Sequence, residues 1–403
     1  MQRFFYRNLA FLITVNLLIK PIWLFGIDRS VQNAVDASEY GLYFVLLNLS
    51  MLTMVLLDLG LSSFNNRAVA GNTQLLTMHV PHLLTIKLLL AFVYLATTVV
   101  AALVLGYTHR ALFMLAWIAA NQIMASLIMF LRSNINALHH FTADSIFSIL
   151  DKAIVIVVCG AMLAVPDWRA RFQIEWFVYA QTAAYLIALL SCFAYLLKLR
   201  VPFFLQWPDP FTKGLLRQAM PFAVLIFLMS VYGRVDAVML KQLLGEEGKT
   251  EAGIYAAAYR ILDALNQIGY LFSILLLPVL SRQLANRLPV TTLVRSSSVL
   301  LYVYSVTAAV SICVFAREII DLLYHKHEQQ STASLKWLIY ALIGYSLSYV
   351  FSTLLTAAGQ LWQLTVIACG VVVLNVALNL MFIPRYGAMG AAAAAALTAA
   401  AAA

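Results

Sequence analysis

PFAVLIFLMSVYGRVDAVMLKQLL (Pro221–Leu244) is followed by the polar turn GEEGKTEAG (Gly245–Gly253). Then comes IYAAAYRILDALNQIGYLFSILLLPVLSR (Ile254–Arg282). Both apolar runs reach the roughly 20 residues needed to cross a bilayer as a helix. They nevertheless carry Arg234, Asp236, Arg260 and Asp263. On insertion scales a charge at the centre of a spanning helix costs roughly 2.5–3.5 kcal/mol, so such groups are paired or face a polar path. In the second run Arg260, Asp263 and Gln267 recur at i, i+3 and i+7 on one face, with Asn266 beside them. In the first, Arg234 and Asp236 point about 200° apart around the helix. Asp236 shares its face with Tyr232. Two readings of the second face stand side by side: an Arg260–Asp263 pair that serves only packing, and a polar face turned to a water-filled path between helices.

The rest of the chain is of the same kind. Its 403 residues are 63% hydrophobic and only 11% charged, and the mean hydropathy is +0.88. That composition excludes a soluble domain and predicts an all-α polytopic membrane protein. The formal charge of +9 reads as bases between spans that set orientation, not as a nucleic-acid surface. About twelve spans are expected near residues 9–27, 40–62, 83–106, 111–132, 145–165, 176–197, 219–243, 252–280, 297–322, 335–358, 361–383 and 386–403. With the N-terminus cytoplasmic, the inner turns hold Arg67, Lys87, Arg132, Lys198 and Arg200 among others. Arg67 and Arg132 read as headgroup contacts at span ends. The first run follows Arg3 and Arg7 without a small-residue cleavage site and reads as an anchor helix.

Residues 198–218 form the longest basic connection. Pro202, Pro208 and Pro210 keep it from being one continuous helix. It divides the chain into a six-helix lobe over 1–197 and another over 219–403. A short repeat supports the division. Ser38-Glu39-Tyr40-Gly41-Leu42-Tyr43 resembles Thr250-Glu251-Ala252-Gly253-Ile254-Tyr255, so two parallel repeats are expected, related by a pseudo-two-fold axis along the membrane normal.

In the first half, Asn16, Lys20 and Trp23 lie along one face of the first span. Pro21 removes a backbone donor there and predicts a bend, a candidate gating point. Packing alone explains the same bend, with Lys20 snorkelling along its stem. Asn48 and Asp58 share a face of the second span. Asp151 and Lys152, as sequence neighbours, should diverge. The four cysteines lie in apolar runs and read as small buried hydrophobes. The histidines lack metal-ligand spacing, so no metal is expected. GEEGKT is not a phosphate loop, because the required earlier glycine is Leu243. No hydrolase or ATPase signature appears, and the chain is not read as an enzyme.

Several stretches carry a resemblance. Pro221–Arg282 resembles the seventh and eighth helices of polysaccharide flippases in the multidrug/oligosaccharidyl-lipid/polysaccharide (MOP) exporter superfamily. Leu374–Thr398, with Asn375, Asn379, Pro384, Tyr386-Gly387 and Gly390, is similar to a later segment of the same proteins. Asn16–Arg67 is similar to the first two helices of the O-antigen and capsule branch. Members often have fourteen spans, and this chain reaches twelve, ending in an alanine-rich run given no functional weight. The resemblance implies alternating access between two lobes around a central cavity. The implied cargo is an undecaprenyl-diphosphate-linked oligosaccharide, moved to the outer leaflet of a bacterial inner membrane during surface polysaccharide synthesis. Lys20, Arg234 and Arg260 would meet the diphosphate. Asn16, Asn48, Asn266, Gln267 and tyrosines such as Tyr232 would meet sugar hydroxyls. Asp58, Asp236 and Asp263 are candidates for a coupling ion. Implied partners are the lipid-linked oligosaccharide, membrane lipids and, as an option, a polysaccharide polymerase; no cofactor is implied. The alternatives are a cation-coupled drug exporter and a membrane-embedded polymerase or glycosyltransferase.

Overall fold

A computed structural model of the chain describes residues 18–61, 75–138, 140–207 and 210–403. The expected site residue Asn16, and Arg67, lie outside the described residues. All regular structure within them is helical, with no strand among the described residues. Ten helices among the described residues are long and apolar enough to cross a membrane. The protein is a multi-pass membrane protein. Ten and the expected twelve differ for two reasons. Only Leu18 onward of the first span is described, and the last two expected spans form one helical run, Leu361–Ala402, broken at Gly387 (φ 55, ψ −132).

The chain forms two compact units, Met1–Val35 with Leu49–Ala223, and Asp36–Asn48 with Val224–Ala403. The first unit is helical over 18–21, turns π-helical over Ile22–Asp28 immediately after Pro21, and continues as α1 (Arg29–Ala34). The irregularity anticipated at the proline is thus a run of i→i+5 bonding, a rare form that occurs mostly as single turns within α-helices. α2 (Ala37–Thr53) starts in the second unit and ends in the first, where it tightens to a 3-10 turn at Met54–Leu57. Then come α3 (Leu75–Val104), α4 (His109–Ala137), α5 (Phe141–Phe147), α6 (Leu150–Ala164), α7 (Pro166–Ala170) and α8 (Ile174–Lys198). Leucines, isoleucines and Phe130 from α3, α4 and α8 form the dry centre of this unit.

α9 (Pro210–Leu244) opens with its proline in the first turn, where the missing N–H costs nothing. The second part of the expected linker is therefore helical and runs straight into the next span. α10 (Glu247–Ala285), α11 (Thr291–Val314), α12 (Ala316–Leu323), α13 (Glu328–Leu338), α14 (Ala341–Ala357) and α15 (Leu361–Ala402) complete the second unit. α10, α14 and α15 pack on one another.

The two repeated hexapeptides meet. A Cβ at Gly41 would run into the Lys249 carbonyl, and one at Gly253 into the Ala37 carbonyl. α2 and α10 thus cross backbone to backbone, and only hydrogen fits at either crossing residue. The expected GEEGKT turn narrows to Gly245 and Glu246, because Glu247 onward is already the first turn of α10, and this stretch holds a local ion pair. A hydrogen bond from the Lys249 ammonium keeps the Glu246 carboxyl below the usual carboxylate range.

The alanine-rich run is a packed helix, with Ala391, Ala392, Ala394, Ala395 and Ala399 buried. Its small side chains admit close approach: a Cβ at Gly344 of α14 would meet the Ala399 carbonyl. The break at Gly387 is held by Glu251, whose Oε2 accepts the Ala388 N–H at 2.6 Å and caps the helical segment beyond it. The cysteine expectation needs correction. Cys159 and Cys192 are buried, whereas Cys369 is exposed on α15, since an apolar helix face turned to lipid has no need to be buried in protein.

Gly41→Ala and Gly253→Ala should each destabilise the protein by about 1–3 kcal/mol or more, because backbone must move to admit the methyl group. Gly370→Ala, where an added Cβ meets nothing within 4 Å, should be neutral or slightly stabilising. Thermal unfolding of the purified protein in detergent checks the contrast.

Candidate functional site

The charges within the second unit are met by three helices. Asp236 on α9 is 4% exposed. Its Oδ1 accepts the Asn379 amide at 2.7 Å and its Oδ2 accepts the Tyr255 hydroxyl at 2.9 Å. The Asn379 amide nitrogen carries two protons and also reaches Asn375 Oδ1, at 3.1 Å. Asn375 and Asn379, four residues apart on α15, present one polar spot on an otherwise apolar helix, and both are fully buried. A buried carboxylate is tolerated when such donors replace its water. The arrangement can hold a negative charge. It can also bind a cation if the Asn379 amide turns its oxygen inward, a change that preserves shape.

Arg234 sits two residues before Asp236 and takes a different direction, as the helical geometry requires. Its guanidinium lies 5.6 Å from the centre of the Tyr259 ring. The Tyr259 hydroxyl donates to the Gly233 carbonyl at 3.0 Å. Tyr255 and Tyr259, one turn apart on α10, thus fasten α10 to α9 at both charged positions. Arg260 is 6% exposed. It reaches α2, where Nη2 donates to the Tyr40 hydroxyl at 3.2 Å and the guanidinium lies 5.6 Å from the Phe44 ring centre. Phe44 in turn meets Tyr259 edge-on at 5.9 Å. Such cation–aromatic contacts contribute about 0.5–2 kcal/mol, the upper end when water is excluded.

The remaining expected residues in this unit are dispersed. Tyr232 is half-buried, its ring against Tyr345 at 5.6 Å. Asp263, Asn266 and Gln267 are half-buried along the next turns of α10. Asn48 is fully buried and donates to the Phe44 carbonyl of its own helix at 2.7 Å.

In the first unit Lys20 and Pro21 are exposed. Lys20 is within electrostatic reach of Lys152, Arg132 and Asp151. Two expectations need correction here. Arg132 is drawn inward: its Nε donates to Asp144 Oδ1 at 2.7 Å, so it is not solely a headgroup contact. Asp151 and Lys152 do not diverge, because the flexible lysine stem folds back to bring Nζ within 2.9 Å of Asp151 Oδ2.

The largest difference concerns Lys87. Expected in a basic turn, it is instead 2% exposed on α3. Its ammonium forms a salt bridge with Asp58, donates to the Leu57 carbonyl at 3.2 Å and to Ser126 Oγ at 3.0 Å. Leu57 ends the 3-10 turn after α2, so its carbonyl lacks a helical partner and needs an outside donor. Farther along the same contact, Ser50 meets the Tyr94 hydroxyl at 2.6 Å and Thr53 meets Thr98 at 2.7 Å. Lys87, Tyr94 and Thr98 fall on one face of α3 at i, i+7 and i+11.

A search of curated protein sequences returns no match. Solved structures do resemble this one. An inward-facing multidrug resistance MATE family transporter of the MOP superfamily gives a TM-score of 0.71 at 14% identity, over 94% of this chain and 91% of that one. The lipid II flippase MurJ, in an inward closed conformation, gives 0.64 at 15% identity, over 96% and 85%. A MOP superfamily transporter from Pyrococcus furiosus gives 0.59 at 14% identity, over 98% and 91%. The fold is therefore that of MOP superfamily transporters. Within it, the sequence model described as polysaccharide biosynthesis protein matches residues 5–284, and the chain belongs to that family.

Lys87→Met should destabilise the protein by about 3–5 kcal/mol, because Asp58 and the Leu57 carbonyl lose their common donor. Adding Asp58→Asn should restore a large part of that loss. A double-mutant cycle read by thermal unfolding checks this; additive losses would contradict it.

Proposed function

We propose that this protein is a flippase that moves an undecaprenyl-diphosphate-linked oligosaccharide from the cytoplasmic to the outer leaflet of a bacterial inner membrane, for surface polysaccharide synthesis. The reading rests on one observation above all. Two guanidinium groups, Arg234 and Arg260, lie among the spans of the second unit, each against an aromatic face. A diphosphate headgroup needs cations at membrane depth, and charge-assisted hydrogen bonds to phosphate offset their insertion cost. Membership in a polysaccharide biosynthesis family and structural likeness to a lipid II flippase favour a saccharide carried on lipid.

In this proposal the lobes 1–197 and 219–403, joined by 198–218, alternate access, with the N-terminus in the cytoplasm. Arg234 and Arg260 are the phosphate-facing candidates of the second unit, and Lys20 is that of the first. Asn16, Asn48, Asn266, Gln267 and Tyr232 are the sugar-facing candidates, and the π-helical run after Pro21 is the gating element. Asp236, with Asn375 and Asn379 beside it, is the leading coupling-ion candidate. Asp58 and Asp263 rank behind it, Asp58 being already engaged by Lys87. A second reading, a cation-coupled drug exporter, is favoured by the 0.71 TM-score to a multidrug transporter.

In proteoliposomes loaded with a polyprenyl-diphosphate oligosaccharide, Arg234→Ala and Arg260→Ala should each slow transbilayer movement about ten- to a hundredfold. That corresponds to one lost hydrogen bond to a charged group, about 1.5–3 kcal/mol. Lys at either position should recover part of the rate. Wild-type rates in both alanine variants would overturn the phosphate assignment, and drug efflux without sugar-lipid movement would install the second reading. Asp236→Asn should abolish the response of transport to an imposed sodium or pH gradient while leaving the thermal midpoint within a few degrees. An unchanged gradient response would remove Asp236 as the coupling residue.

A further inference from the structure

α8 ends abruptly, at a residue whose backbone cannot continue a right-handed helix. Arg200 adopts the left-handed conformation, with φ 58. Its N–H bonds the Leu197 carbonyl at 2.9 Å, and the Val201 N–H bonds the Leu196 carbonyl at 3.1 Å. This is the glycine-type helix terminator, completed by the apolar contact between Val201 and Leu196 in the buried core of the first unit. Glycine would sit there without strain, yet the position carries an exposed arginine, next but one to the exposed Lys198.

The chain then runs non-helically over 201–207. This stretch is docked rather than loose. Phe203 packs on Phe193 with ring centres 4.7 Å apart. The Gln206 N–H donates to Thr85 Oγ1 at 3.0 Å, and His82 Nδ1 donates to the Trp207 carbonyl at 2.9 Å. With the backbone held on α3 in this way, Phe204, Leu205 and Trp207 point outward at 53%, 65% and 75% exposure. Three large apolar side chains, rigidly presented beside two cations, would be a liability in water. They follow closely on the end of α8, a helix long and apolar enough to cross a membrane, and tryptophan and other aromatic rings prefer the interface flanking such spans.

We infer that Lys198–Trp207 is an interfacial lipid-binding site. Phe204, Leu205 and Trp207 enter the headgroup region of the adjoining leaflet, and Lys198 and Arg200 engage the phosphates of anionic phospholipids. Basic residues next to a span gain from the negative potential of such a surface, and that attraction is local. The site needs only the multi-pass topology and stands whether or not the protein flips a sugar lipid. It fixes the first part of the connection to both α3 and the membrane surface.

The full-length protein, with Cys313 and Cys369 replaced by Ser and an environment-sensitive dye on Leu205→Cys, tests this in vesicles. The comparison is phosphatidylcholine alone against phosphatidylcholine mixed with phosphatidylglycerol. Expected is blue-shifted emission, with nitroxide at the headgroup quenching more than nitroxide in mid-chain, and stronger headgroup quenching in the anionic vesicles. Arg200→Gly combined with Lys198→Gln should abolish the difference between the two vesicle types without lowering the thermal midpoint, since glycine suits that backbone. Phe204→Ser with Trp207→Ser should shift emission toward that of dye in water. Water-like emission with full access to aqueous iodide would overturn the site. Equal quenching in both vesicle types would overturn anionic recognition, and strongest quenching from mid-chain would overturn the interfacial placement.

Discussion

A charge within a bundle of spanning helices must be answered by a group on another helix, because neither lipid nor apolar side chains can solvate it. That requirement shapes both units. Asp236 draws Tyr255 from α10 and Asn379 from α15 onto α9. Lys87 draws Asp58, the Leu57 carbonyl and Ser126 onto α3. Hydrophobic burial cannot choose between rotations of a uniformly oily helix, since lipid tails are as apolar as leucine. A single polar group with a partner can.

Where no charge sets the contact, small residues do. The crossing of α2 and α10 depends on Gly41 and Gly253, and the seating of the alanine-rich helix on α14 depends on Gly344. Both bring backbones so near that dispersion between main chains replaces side-chain interdigitation. The break at Gly387, capped by Glu251, lets the last helical segment change direction while the Ala388 N–H keeps an acceptor. Glu251 lies two residues before Gly253 near the start of α10. One short polar stretch therefore serves the crossing and the cap together.

Much of this was legible beforehand. Helix content, span positions and the opposed directions of Arg234 and Asp236 derive from composition and the 3.6-residue period. The repeated hexapeptides were visible as well, although nothing in their spelling says that they pack on each other. The partners were the obscure part. Lys87 looked like one more base near a span end, because its charge is visible and its depth is not. The divergence of sequence neighbours such as Asp151 and Lys152 holds for Cβ directions and fails for a lysine stem long enough to fold back. Asn375 and Asn379 could be noticed four residues apart on an apolar run, but not Asn379 as a donor to an aspartate some 140 positions earlier.

The amino-acid sequence by itself determined that this chain lives in a membrane as a set of helices, and which of those helices bear charge. Length and hydropathy are local properties, and the bilayer acts on each segment separately. Only the tertiary structure decided which charge meets which partner. Those pairings join segments far apart along the chain, and they depend on helix rotation and side-chain reach, which no local pattern encodes.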